Sequence, residues 1–122
     1  MSTVLFISAD DKARLLLTTI FECVGHTVSM AGSLPEGIEC LRRELANVVL
    51  LTVSSPQSAL LEGIAQLRAV SPLVKILVLV EKDDVVDFLA VRMMGADDVL
   101  RQPLGSKALL DAVNQTLRED LI

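Results

Sequence analysis

Two short apolar runs in the middle of the chain decide the fold: residues 47–53 (NVVLLTV) and residues 74–80 (VKILVLV). Runs this apolar are typical of strands buried on both faces of a parallel sheet. Between them, Pro56 begins a stretch that ends before Ser71-Pro72 and has the length of one helix. Because parallel neighbours need a crossover connection, the segment predicts a strand, a helix and a second parallel strand.

The same alternation continues toward both ends of the chain. Before residue 47 it predicts two strands and two helices: strands over 3–8 and 27–31, a helix from Asp10 or Asp11 to Gly25, and a helix from Ser33 to about Glu44. After residue 80 it predicts a helix from Asp83 to Gly95, a strand over 98–101 and a helix from Ser106 to about Glu119. Strands alternating with helices predict one three-layer α/β domain over residues 1–122.

The first predicted helix has one apolar face at the three-and-four spacing of an amphipathic helix. Its members are Ala13, Leu16, Leu17, Ile20, Phe21 and Val24. We expect this face to pack against the sheet.

The composition limits the possible classes of function. Hydrophobic residues make up 52% of the 122 residues and charged residues 22%, which excludes a disordered chain. The net charge of −5 has the sign opposite to that of most nucleic-acid-binding domains, so we expect no direct nucleic acid binding. The apolar runs are far shorter than the ~20 residues that span a bilayer, and the first residues lack the basic segment of a signal peptide. We therefore expect a cytoplasmic protein without membrane contact.

Zinc chemistry has no support in the sequence. Cys23 and Cys40 do not form a CxxC motif, and His26 is the only histidine. A structural zinc site needs about four nitrogen or sulfur ligands at suitable spacing. We therefore expect two reduced cysteines packed on helices and no metal site.

A parallel, doubly wound sheet places its functional groups at the carboxyl ends of the strands, in the crevice where the strand order reverses. This rule selects the residues that follow the first, third, fourth and fifth strands. They are Ser8, Ala9, Asp10, Thr52, Ser54, Ser55, Val80, Glu81, Gln102 and Pro103.

Three segments give the chain its resemblance to a known family. The most specific is residues 95–103 (GADDVLRQP), followed by residues 47–52 (NVVLLT) with Pro56 four residues on. The opening residues 4–7 (VLFI), together with Arg14 and residues 25–28 (GHTV), have the same spacing as the family. The chain resembles the receiver domain of bacterial two-component response regulators. This resemblance implies a flavodoxin-like, five-stranded parallel sheet of order 2-1-3-4-5 with five helices.

The resemblance also implies a set of chemical groups that this chain replaces. The family holds Mg²⁺ with an acidic pair, phosphorylates an aspartate, contacts the phosphate with a Ser or Thr and a Lys, and transmits the change through an aromatic residue. The corresponding residues here are Ser8 and Ala9 at the acidic pair, Thr52 at the acceptor, Val80 at the Ser or Thr, Gln102 at the lysine and Val99 at the aromatic. We therefore expect no Mg²⁺, no other cofactor and no enzymatic activity.

If the alignment with the family pattern were shifted by two residues, Asp10 and Asp11 would stand at the positions of the metal-binding acidic pair. Arg14 and Gly25 keep the family's spacing with Ser8 and Ala9 at the strand end, which argues against such a shift. We expect Asp10 to cap the first helix instead.

The retained proline, Pro103, has its own consequence. The family has a cis peptide bond before this proline, so the resemblance implies a cis Gln102-Pro103 bond. Such a bond would shape the turn before the last helix.

The fourth predicted helix is apolar around most of its circumference. One apolar set can face the core, and a second apolar set then remains on the other side of the helix; the two sets can also be exchanged. The first set comprises Val86, Leu89, Ala90 and Met93. An exposed apolar patch on a folded domain commonly marks a partner surface. The resulting candidate face comprises Val85, Phe88, Val91 and Met94, with Arg92, Arg101, Lys107, Asp111 and Arg118 as charged neighbours. The family uses this face, formed by helix four, strand five and helix five, for dimers or partner proteins.

Two functions remain open at this point. The first is a degenerate receiver, or pseudo-receiver, that acts in a two-component phosphorelay pathway as a phosphorylation-independent protein–protein interaction module. Its partners would be a second copy, a histidine kinase or a fused output domain. The chain would be a stand-alone protein or, if an output domain is fused to it, the N-terminal part of a longer regulator. The alternative is a receiver-like domain regulated by phosphorylation at a non-aspartate acceptor, Thr52 or one of Ser54 and Ser55.

Overall fold

A computed structural model describes residues 2–52, 57–80, 86–101 and 105–118 of the protein. Five strands alternate with five helices along the chain. The strands are β1 (Thr3–Ile7), β2 (Thr27–Ala31), β3 (Val48–Thr52), β4 (Lys75–Val80) and β5 (Asp98–Arg101). The helices are α1 (Asp11–Cys23), α2 (Leu34–Arg43), α3 (Gln57–Val70), α4 (Phe88–Met93) and α5 (Ser106–Arg118).

The strands form one parallel sheet in the order β2-β1-β3-β4-β5. The prediction of a five-stranded, doubly wound α/β sheet is confirmed. The register aligns Ile7 of β1 with Leu51 of β3 and with Ala31 of β2. Because all five strands run in one direction, their carboxyl ends lie along the same edge of the sheet.

Side chains alternate between the two faces of the sheet, and each face has its own apolar core. Leu5 and Ile7 pack in a core that α2, α3 and α4 cover. Val4 and Phe6 pack in a second core that α1 and α5 cover. Both faces are therefore covered, as the apolar strands predict.

Helix α1 begins as the sequence predicts but buries fewer residues than expected. The Asp10 carboxylate caps it by accepting the backbone N–H groups of Lys12 and Ala13, at 3.0 and 3.3 Å. Phe21 is only 1% exposed, whereas Leu16 is 62% and Val24 is 56% exposed. The predicted apolar face was too wide, because α1 packs on the sheet along a narrower stripe that includes Ala13, Leu17 and Phe21.

Helix α4 is shorter than predicted. It begins at Phe88, and the Asp87 carboxylate caps it by accepting the backbone N–H of Ala90 at 3.1 Å. The predicted first residue, Asp83, lies outside the described residues. Val86 and Asp87 lie before the helix, so a continuous helix from Asp83 is wrong. The end is close to the prediction, with Gly95 following the last turn at a φ of +123°.

A polar cluster formed by Arg68, Lys75 and Asp97, here called the Asp97 cluster, joins the amino ends of β4 and β5. One Asp97 carboxylate oxygen accepts the backbone N–H of Ile76 at 2.8 Å and pairs with the Arg68 guanidinium at 3.0 Å. The other lies 3.8 Å from the Lys75 ammonium. Arg68 also donates to the carbonyl oxygens of Val74 and Gly95. The cluster therefore ties the end of α3 to the turn between α4 and β5.

Candidate functional site

The crevice at the carboxyl ends of β1 and β3 contains two hydroxyl groups where the resemblance calls for carboxylates. Ser8 directly follows β1 and is 4% exposed, and its backbone N–H donates to the carbonyl oxygen of Ala31 at 3.0 Å. The Ser8 hydroxyl oxygen accepts the backbone N–H of Asp10 at 3.2 Å. The neighbouring Ala9 is exposed and has no polar side-chain atom.

Thr52 ends β3 and is half-buried. Its hydroxyl donates to the carbonyl oxygen of Ile7 at 3.3 Å, so it joins the ends of β3 and β1. Val80, at the end of β4, is 2% exposed and belongs to the core on the α3 side of the sheet. At these positions the crevice is therefore neutral, with one apolar wall.

Among the described residues, the acidic side chains that follow β1 are engaged at the start of α1, and Glu81 lies outside the described residues. Asp10 caps the helix, and Asp11 pairs with the Arg14 guanidinium. Arg14 also donates to the carbonyl oxygen of Ser8 at 2.6 Å. Among the described residues, no group of three His, Cys, Asp or Glu side chains is placed to hold a metal ion.

Several predicted site residues fall in the gaps between the described ranges. Val85, Gln102 and Pro103 lie outside the described residues, as do the alternative acceptors Ser54 and Ser55. The lysine-equivalent position and the peptide bond before Pro103 thus remain sequence-based predictions.

Comparison with known proteins agrees with the fold. Residues 4–114 match the response regulator receiver domain family. The chain belongs to that family.

Among its relatives, the CpxR homolog of Haemophilus influenzae, a transcriptional regulatory protein, is 30% identical over 97% of this chain and 51% of its own length. The response regulator MprA of Mycobacterium ulcerans is 32% identical over 97% of this chain and 51% of its own length. The chain therefore spans about half the length of these curated relatives. The CheY-like receiver domain protein of Methanospirillum hungatei has the same fold, with a TM-score of 0.89 at 20% identity, covering 98% of this chain and 95% of that one.

The receiver has an exposed apolar patch on α4, although its members differ from the prediction. Val91 is fully buried in the core, so its predicted place on the exposed face is wrong. Leu89 and Met93 are instead 69% and 78% exposed, and Phe88 and Met94 are also exposed. We call Phe88, Leu89, Met93 and Met94 the α4 patch. Only one side of this short helix packs against the core, and Val91 lies on that side.

Charged side chains are exposed on α4, β5 and α5. The Arg101 guanidinium lies 4.9 Å from the centre of the Phe88 ring, which is within the range of a cation–π contact. Arg92 is exposed on α4, and Lys107 and Asp111 form an exposed ion pair at 3.6 Å on α5. The side chain of Arg118 is not described, and the role of these residues as charged neighbours of a partner face stays a prediction.

The position of the family's aromatic residue is occupied by Val99. It is half-buried in β5 and packs against the core on the α3 side. A valine has neither the ring nor the hydroxyl that an aromatic switch moves between an inner and an outer position.

No helix in the described ranges is long and apolar enough to cross a bilayer.

Proposed function

We propose that this receiver signals without phosphoryl transfer, as a non-enzymatic module that binds proteins through its surface. One observation carries the proposal: the hydroxyl groups of Ser8 and Thr52 take the places of carboxylates and are already hydrogen-bonded to the backbone. Such groups supply neither the negative charge that holds a metal ion nor a ready nucleophile.

The donors in the crevice do not fit Mg²⁺. This ion prefers charged oxygen ligands in octahedral geometry at about 2.1 Å. Ser8 and Thr52 supply two neutral hydroxyls, and Ala9 supplies no ligand. Asp10 could approach the crevice only by giving up its bonds to the first turn of α1. We propose that the native receiver binds neither Mg²⁺ nor another cofactor there.

Thr52 is also poorly suited to attack a phosphoryl donor. A threonine hydroxyl becomes a nucleophile when an adjacent base removes its proton. The Thr52 proton points instead to the carbonyl oxygen of Ile7, and the nearby Val80 has no basic group. Phosphorylation of Thr52 by a separate kinase would break this bond between β1 and β3, so we favour the phosphorylation-independent function.

The partner surface in this proposal is the α4 patch with its charged neighbours on β5 and α5. Four exposed apolar side chains lie within seven consecutive residues, and such a concentration of exposed apolar surface commonly marks a docking site. We propose that it contacts a second copy of the receiver in the cytoplasm. Membership of the receiver family supports a histidine kinase as a further partner. The relative named as a transcriptional regulatory protein is about twice as long as this chain, which supports an output domain.

Replacing Phe88 with aspartate tests this surface. Phe88 is the first residue of α4, where an acidic side chain is compatible with the helix dipole, so we expect the fold to be retained. In the native protein, the backbone amide signals of residues 88–94 should shift with protein concentration in NMR spectra. We expect Phe88→Asp to weaken this association by roughly tenfold or more.

The matched control is Leu16→Asp, because Leu16 is 62% exposed on α1, which covers the opposite face of the sheet from α4. We expect this variant to associate like the native protein. Native spectra that do not change between dilute and concentrated samples would contradict self-association through the α4 patch.

A further inference from the structure

Strand β2 forms one edge of the sheet and leaves one side of its backbone unpaired by the sheet. The backbone N–H of Thr27 donates to Ser2, and the carbonyl oxygen of Ala31 accepts from Ser8, so both residues point toward β1. Backbone direction alternates along a strand, which turns the polar backbone groups of Val28 and Met30 outward. These outward groups are available to a further strand.

The residues of β2 do little to prevent such pairing. Proteins commonly protect edge strands with charged residues, proline or a bulge. β2 reads Thr-Val-Ser-Met-Ala and contains none of these residues, and its five residues pair with β1 in continuous register. The opposite edge strand, β5, carries the charged residues Asp98 and Arg101.

Exposed apolar side chains flank the β2 edge on both faces of the sheet. On the α1 face, Met30 is 45% exposed and its sulfur lies 2.9 Å from the hydroxyl of Thr18. Leu15, one turn earlier on α1, is 68% exposed. On the α2 face, a small cavity next to the strand is lined in part by Ser29, Cys40 and Leu45. A neighbour added at this edge would cover apolar surface as well as backbone groups.

Helix α2 lies over β2 and has charges that complement those of an antiparallel copy. The Glu36 carboxylate accepts the backbone N–H of Gly32, just after β2, at 2.8 Å. The first turn of α2 is thus acidic near the carboxyl end of β2. The last turn, near the amino end of β2, carries Arg43 beside Arg42, which pairs with Glu39 of its own helix at 2.6 Å. In an antiparallel arrangement, the acidic turn of one α2 meets the basic turn of the other.

We propose that two copies of the receiver pair antiparallel along β2 and form a continuous ten-stranded sheet. In one register the outward backbone groups of both Val28 and Met30 are paired. The backbone of Val28 then hydrogen-bonds to that of Met30 of the partner subunit, and Ser29 lies on the two-fold axis. Because α2 contacts both β1 and β2, the two α2 helices would run side by side about 10 Å apart, a normal packing distance. This interface lies at the sheet edge opposite to the α4 patch and does not depend on the proposed function.

Disulfide cross-linking tests the register directly. In a background with Cys23→Ser and Cys40→Ala, the variant Ser29→Cys places two thiols across the axis with Cα atoms about 4.5 Å apart. The control Thr27→Cys lies on the same face of β2 but would be roughly 13 Å from its own copy. We expect Ser29→Cys to form a reducible dimer at least roughly tenfold faster than Thr27→Cys. Equal rates, or no dimer from either variant, would overturn the proposal.

Charge reversal gives an independent check that leaves β2 unchanged. Arg43→Glu should weaken the dimer by roughly tenfold in sedimentation equilibrium, because it places like charges across the axis. Adding Glu36→Arg, which reverses the charge of the turn facing Arg43, should restore most of the affinity. A dimer unaffected by Arg43→Glu, or a double variant weaker than the single one, would count against the antiparallel arrangement. Both measurements are made in Phe88→Asp protein, so that the α4 patch does not contribute.

Discussion

Replacing Asp97 with alanine is expected to lower the free energy of unfolding by about 3 kcal/mol. β5 begins at Asp98, opposite Leu77, so it is too short to supply a strand partner for the Ile76 backbone N–H. The Asp97 carboxylate takes that role at 2.8 Å, and Ile76 is fully buried. Alanine would leave a buried donor unpaired and remove the partner of Arg68.

The neighbouring acid provides a matched control. Asp98 is exposed, and its carboxylate accepts only a local bond, from the Val99 backbone N–H at 2.8 Å. We expect Asp98→Ala to change stability by less than about 0.5 kcal/mol in urea unfolding. Similar losses from Asp97→Ala and Asp98→Ala would show that the Asp97 cluster does not have the assigned structural role.

Restoring three carboxylates is expected to give the crevice affinity for Mg²⁺. In the combined variant Ser8→Asp, Ala9→Asp and Thr52→Asp, three charged groups would share the carboxyl ends of β1 and β3. Without metal their repulsion should destabilise the fold. If Mg²⁺ binds with a Kd of about 1 mM, about 10 mM of the ion should stabilise the variant by about 1.4 kcal/mol. For a domain of this size, that stabilisation raises Tm by roughly 5 °C.

The control for this variant replaces the same three residues with asparagine, which has nearly the same shape and no charge. Neither the asparagine variant nor the native protein should gain thermal stability from Mg²⁺. If the aspartate variant also shows no gain, the native side chains at these positions are not what prevents metal binding, and the backbone of the crevice must differ as well.

The sequence predicted the sheet well because its strands are continuous apolar runs. Such runs leave few alternatives to central parallel strands, and β3 and β4 appear where the runs lie. The crevice followed from the same pattern, since the strand ends bring Ser8, Thr52 and Val80 to one edge. Residues at strand ends can therefore be located from the apolar pattern alone.

Helix α4 shows where that reasoning fails. An amphipathic helix reveals its buried side by the contrast between apolar and polar residues. In α4 nearly every position is apolar, so the sequence could not decide whether Leu89 or Val91 faces the core. The contact between α4 and α3, together with the late start at Phe88, makes that choice in the structure.

The different roles of Asp97 and Asp98 were also hidden. The two residues are identical neighbours, and only the turn before β5 directs one toward Arg68, which is 29 positions away along the chain. That β2 is an edge strand likewise follows from the strand order of the sheet, which no local sequence pattern specifies. In both cases the deciding contacts join segments that are distant in sequence.

The most direct test of the central claim is an NMR titration of the native protein with Mg²⁺ and then beryllofluoride, a mimic of the phosphoryl group. The claim is that Ser8, Ala9 and Thr52 cannot support the family's phosphoryl chemistry. We expect the amide signals of Ser8, Thr52 and Val80 to stay unchanged through both additions. Localised, saturable shifts of these three signals would contradict the claim.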